Sequence, residues 1–139
     1  MQGKSQKQID YALAVMERVI RWIDSEIKYH DPDSWTRNPQ TDEDYRIRGE
    51  IAERREFWRT LRKNVERLNN AAEVLDYLQS TTMAAFAAAF VKYGYERAAH
   101  LILDTSYHEK YPPNLYGRYP DGTPGKLDAA WEFYGRLLA

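Results

Sequence analysis

The chain contains no cysteine. Disulfides, thiolate catalysis and cysteine-based zinc sites are therefore excluded, and nothing in the composition calls for an oxidising compartment, so a cytoplasmic location is the expectation. Long hydrophobic runs are also missing. The most apolar stretch, Met83 to Val91, is alanine-rich and falls well short of the roughly 20 residues that span a bilayer. The opening residues Met1 to Lys7 are polar, without the apolar core of a secretory signal. No membrane partner is expected. Nor is charge of one sign in excess. Twenty Lys and Arg against 21 Asp and Glu leave a formal net charge of −1, which disfavours both a strongly basic nucleic-acid binder and an acidic nucleic-acid mimic. A glycine-rich phosphate loop, Gly-x-Ser-x-Gly, a dinucleotide fingerprint and strand-like alternation of useful length are all absent, which lowers the expectation of an enzyme.

What remains is a chain of 139 residues, the size of one ordinary domain. Hydrophobic residues at 43% and charged residues at 29% give a globular balance, enough to bury a core without staples. Eleven Tyr and four Trp are many for this length, and such side chains are favoured at interfaces.

Helical signals run through the whole chain. Ser5 and Gln8 have the spacing of a capping box, and Ile9, Leu13, Met16, Ile20, Ile23 and Ile27 follow in a 4,3 alternation. Ala12, Val15, Val19 and Trp22 widen that stripe, as expected of a helix packed between two neighbours. The helix should end near Lys28, before Asp31-Pro32, with a loop over His30 to Gln40. Thr41 caps a second helix, with Asp42, Glu43 and Asp44 at its positive end. Its seam reads Ile47, Ile51, Arg54, Trp58, Leu61, Val65 and Leu68. Two long helices with matching seams predict an antiparallel hairpin over 1–69.

Residues 70–139 predict a helical cluster. Asn70 and Glu73 suggest another capping box, Met83 to Tyr93 an alanine-rich central helix ended by Gly94, and Tyr95 to about Thr105 a further helix. An irregular loop over 106–125 holds four prolines and four tyrosines, and an amphipathic helix over 126–139 closes the chain. The expected fold is a single all-α, bundle-like domain.

Four features carry a functional expectation. Arg48, Arg55 and Arg62 recur every seven residues beside the seam of the second helix, with Arg59 adjacent. Such a ridge suits an acidic protein patch or phosphate, although a solvated salt-bridge-laced helix face has the same pattern. Arg55 has no acid three or four residues away. Arg54, on the seam itself, either snorkels outward or lines a cavity. In the loop, Tyr107, Tyr111, Tyr116, Arg118 and Tyr119 suit a binding surface, or lie down on the core. His30, His100 and His108 are scattered without metal-ligand spacing, so neither metal nor cofactor is expected.

The opening Lys7-Gln8-Ile9-Asp10-Tyr11-Ala12, with Ile20, Trp22 and Ile23, resembles the first helix of small phage- and plasmid-encoded proteins with a Lys-Gln-Ile-x-(Trp/Tyr)-Ala pattern. The likeness covers the first helix alone, and Asp10 and Leu13-Ala14 depart from the pattern. It implies a mobile-element origin and, with it, inhibitors that block a host protein by binding. The leading expectation is a non-enzymatic binding protein acting by protein–protein contact through Arg48, Arg55, Arg59, Arg62 and the tyrosine-rich loop. The alternatives are nucleic-acid binding through the same ridge with tyrosines stacking on bases, and a small helical enzyme whose inter-helix pocket gathers Arg54, His100 or His108 with a carboxylate. Self-association through seam residues is also open.

Overall fold

The protein is seen in a computed structural model, which describes residues 1–102 and 124–139, with the backbone alone for 124–128. Among the described residues there are seven helices and no named strand. They are α1 (Gln6–Tyr29), α2 (Pro32–Trp35), α3 (Asp42–Glu66), α4 (Ala71–Tyr77), α5 (Thr81–Tyr93), α6 (Tyr95–Ile102) and α7 (Pro124–Arg136). The all-α expectation holds. The stretch from His30 to Gln40 is not wholly loop, since Asp31 caps the one-turn helix α2 through its side chain and Pro32 starts it.

Local chemistry accounts for the helix starts. Ser5 Oγ accepts from Gln8 N at 3.1 Å, while the Gln8 side chain reaches one residue further back than a capping box requires, to Lys4 N at 2.6 Å. Thr41 and Asp44 form a complete capping box, and the donated backbone bonds hold the Asp44 carboxyl below its usual range. Asn70 Oδ1 accepts from Ala72 N and Glu73 N, but Glu73 turns to Arg136 at 2.6 Å instead of back to its own cap.

α1 and α3 pack antiparallel, as the order of their cross-links records. Asp24 pairs with Arg62, Asp31 with Arg55, and Asp33 with Arg48, so position rises along one segment as it falls along the other. The buried face of α1 is Ala12, Val15, Met16, Val19 and Ile23. That arc is turned from the expected 4,3 seam, and Leu13 is left exposed. On α3, Ile51, Trp58, Leu61 and Val65 are buried as expected, and Phe57 joins them. The indole N–H of Trp58 is buried without a hydrogen-bond partner among the described residues.

α5 is the central helix. Ala84 to Ala89 is buried all round, so small side chains let α6 and α7 approach closely. Phe133, Leu137 and Leu138 close the core from α7. The C-terminus is tied down by Asn64 Nδ2 donating to Leu137 O at 2.7 Å and Lys92 Nζ donating to Leu138 O at 2.6 Å. The N-terminus is tied to the α3–α4 turn by Gln2 N donating to Asn69 O and Ala71 N donating to Gln2 O. Among the described residues no single helix is long and apolar enough to cross a membrane. α4 and α5 approach that only as a pair bent by 95°.

Two glycines should respond oppositely to the same change. Gly94 ends α5 with a φ of 88° and a ψ of 171°, a conformation essentially confined to glycine that costs an L side chain roughly 1–3 kcal/mol. Gly49 lies inside exposed α3, and a Cβ there would meet nothing within 4 Å. Gly94→Ala should destabilise by roughly 1–3 kcal/mol, and Gly49→Ala should stabilise by about 1 kcal/mol through helix propensity, both read from urea denaturation.

Candidate functional site: the aromatic edge of α1 and α2

Arg48, Arg55 and Arg62 are each paired across the hairpin instead of forming an outward ridge. Arg62 Nε bonds Asp24 Oδ1 at 2.6 Å and also pairs with Glu66. Arg55 Nη1 lies 3.8 Å from Asp31 Oδ1. Arg48 Nη2 donates to Asp33 Oδ1 at 2.8 Å, and its Nη1 donates to the carbonyls of Pro32 and Thr36. All three side chains are about two-thirds buried. The flank beside the seam is the one that abuts α1 and α2, so its acids come from across the hairpin. Partners within one helix are the only ones visible at three- or four-residue spacing, which is why Arg55 looked unpartnered. Arg59 alone stays half-exposed, 3.8 Å from Glu56. Tyr107, Tyr111, Tyr116, Arg118 and Tyr119 lie outside the described residues, as does His108.

These bonds have a positional consequence. Arg48 grips both ends of α2, and Arg55 holds its capping residue. α2 is thereby folded back against the end of α1, where Trp35 Nε1 donates to Tyr29 O at 2.9 Å. The Trp35 ring stands edge-on to Tyr29, with centroids 5.3 Å apart at 88°. On its other side Tyr29 meets the His30 ring at 5.1 Å and 90°. Ser25, Lys28, Tyr29, Ser34 and Trp35 line an open notch of about 650 Å³.

The notch terminates a stripe along α1. Lys7, Tyr11, Arg18, Trp22, Ser25 and Tyr29 fall at helical three- and four-residue steps, or sums of these, and all face solvent. Tyr11 is 65% exposed, Trp22 47%, Tyr29 60% and Trp35 48%, so four large aromatics lie on one edge without a covering element among the described residues. Lys7, Arg18 and Lys28 make no ion pair among the described residues. Of the acids flanking the stripe, Glu17 pairs with Arg21 and Asp24 with Arg62, while Asp10 accepts from the neutral Gln6 amide and keeps its charge. Sequence reasoning read Trp22 as part of a wide core stripe. The signal that separates the two faces is the second 4,3 series starting at Lys7.

A second polar group sits where α3 meets α6. Glu53 pairs with Arg97, and His100 Nε2 lies 3.7 Å from Glu53 Oε2. Arg54 shares this region, its Nε buried without a hydrogen-bond partner among the described residues, while Glu50 turns to Arg46. Burial, with Arg54 and Arg97 nearby, pushes the His100 imidazole down, leaving it neutral at neutral pH. The adjoining recess holds about 180 Å³, below the roughly 300 Å³ of small-molecule pockets, and its neighbour over Tyr93, Gly94 and His100 is an open shelf. Among the described residues no group of three or more His, Asp or Glu is placed to hold a metal ion.

His30 is 4% exposed, and its Nδ1 lies 2.8 Å from Glu26 O, the geometry of a neutral imidazole donating to a carbonyl. Burial, and then Arg54 facing it from α3, push its pKa below 6.5, while burial pushes the Glu26 carboxyl up.

Comparison with protein-family models, with curated proteins and with solved structures finds no match to this chain.

Two outcomes follow from this geometry. Arg48→Met should free α2 and move the emission of Trp35, with little change in helical circular dichroism; unchanged emission would mean that Arg48 does not hold the notch. Because the folded His30 pKa lies below its unfolded value, stability should fall as pH drops below about 6.5 and level off below the folded pKa. Glu26, raised in the fold, acts in the opposite sense nearer its own range. The urea midpoint between pH 7.5 and 6 should therefore slope more in the parent chain than in His30→Gln.

Proposed function

We propose that this protein is a non-enzymatic binding protein that acts by protein–protein contact through the aromatic edge of α1 and α2. One observation carries the reading: Tyr11, Trp22, Tyr29 and Trp35 are exposed along one edge of α1 and α2, an aligned set, whereas Tyr45, Met83 and Tyr93 are exposed on other elements. Trp, Tyr and Arg are the side chains that dominate interface energetics, Trp and Tyr because each covers much area at little conformational cost. Isolated exposed apolar residues need no explanation, whereas an aligned set does. The pairing of Arg48, Arg55 and Arg62 removes three of the four arginines from the surface first expected to carry binding and makes them supports of this one. An inhibitor that blocks its target by occupying it, as the opening-helix resemblance suggests, needs no more than such an edge.

Trp22→Ala combined with Tyr29→Ala should abolish capture of a protein partner from lysate while the helical circular-dichroism signal persists. Arg59→Glu should leave capture unchanged. The reverse pattern would return the binding surface to α3.

A further inference from the structure

Resting on that reading, we infer that the partner presents an acidic amphipathic helix, which lies along α1 with its apolar side chains on Trp22 and in the Tyr29–Trp35 notch. Shape comes first. Tyr11 and Tyr29 are separated by eighteen residues of unbroken helix, roughly 27 Å along the axis. A straight ridge of that length, with side chains at three- and four-residue steps, is matched by a second helix of similar length, whose own ridges fill the spaces between them.

Charge selects which helix. Arg18 lies mid-way along the line, Lys7 at its start and Lys28 at the notch, and the stripe itself contains no acid. These three cations make no ion pair among the described residues, and the neighbouring carboxylates Glu17 and Asp24 are spent on Arg21 and Arg62. The Ser25 and Ser34 hydroxyl protons are also spent, on Trp22 O and Asp31 Oδ2, so Lys28 is the ionic donor left at the notch. Carboxylates opposite Arg18 and Lys28, beside apolar side chains on the rings, satisfy both parts of the edge.

The same spacing disfavours the other occupants. Lys7, Arg18 and Lys28 are roughly 15 Å apart along the helix, whereas a nucleic-acid duplex carries about one charge per 1.7 Å, so few phosphates would be neutralised. A second copy docked by a two-fold axis near the middle of the stripe would set Arg18 close to its own counterpart.

The test uses the full chain and two synthetic peptides of about twenty residues, one with a leucine stripe flanked by glutamates and one with lysines in their place. Binding is followed by tryptophan fluorescence at two salt concentrations. The glutamate peptide should bind at least about tenfold more tightly than the lysine peptide, and the difference should shrink at high salt. Arg18→Glu with Lys28→Glu should reverse the preference; both residues are exposed and make no ion pair among the described residues, so the fold should persist, as circular dichroism would verify. Equal binding of both peptides, abolished by Trp22→Ala with Tyr29→Ala, would overturn the acidic partner and leave the docking edge standing. Binding insensitive to Trp22→Ala with Tyr29→Ala would overturn the edge itself. Failure of the glutamate peptide to bind, tighter binding of an oligothymidine, or dimerisation in sedimentation lost on Arg18→Glu would each overturn the inference.

Discussion

The grip of Arg48 on α2 is the interaction from which the rest of the surface follows. Its guanidinium bonds two backbone carbonyls and a carboxylate of a segment that has only one helical turn of its own. A four-residue helix is unstable in isolation, because it fixes several dihedrals for few hydrogen bonds. Held from α3, the turn becomes a fixed platform, and Trp35 takes up its edge-on position against Tyr29. An exposed salt bridge between Arg48 and Asp33 would contribute little, but charged bonds to half-buried carbonyls are stronger and leave unsatisfied groups behind when broken. The arginines of α3 thus contribute geometry to the candidate interface without touching what binds there.

The amphipathic design of α1 makes a second demand. Its apolar and aromatic side chains cover an arc wider than α3, α4 and α5 bury. Ala12, Val15, Met16, Val19 and Ile23 occupy the middle, Ile9, Ile20 and Ile27 lie half-covered on one side, and Tyr11, Trp22 and Tyr29 stay open on the other. The alanine-rich α5 supports this arrangement. Its six consecutive buried residues pack against α6 and α7, on the far side of the described core from the exposed edge of α1.

Most of the scaffold was legible in the sequence because it is specified by local rules. Caps at Ser5, Thr41 and Asn70 fixed helix starts, Gly94 fixed an end, and the alanine run marked the central helix. The errors share one cause, which is that partners distant in sequence were invisible. Arg55 has no acid at helical spacing and takes Asp31, twenty-four positions away, while Glu73, expected to close its own cap, pairs with Arg136. The width of the α1 stripe was read correctly, but not which of its edges would be covered, since periodicity defines a face and neighbours decide its burial.

That distinction also separates the two polar regions as candidate sites. At the α3–α6 junction, Glu53 meets both Arg97 and His100, and a carboxylate engaged in this way is held as structure more readily than it is released for chemistry. Along α1 the balance differs: Glu17 and Asp24 are paired with Arg21 and Arg62, while Lys7, Arg18 and Lys28 make no ion pair among the described residues. An aromatic edge facing water adds nothing to the core and carries a risk of non-specific association, which interleaved positive charge reduces. A polar side chain at Tyr11, which is 65% exposed, would preserve α1 at little cost to packing among the described residues. The physical case for a binding surface is therefore that these rings are costly where they stand unless something beyond the described residues covers them.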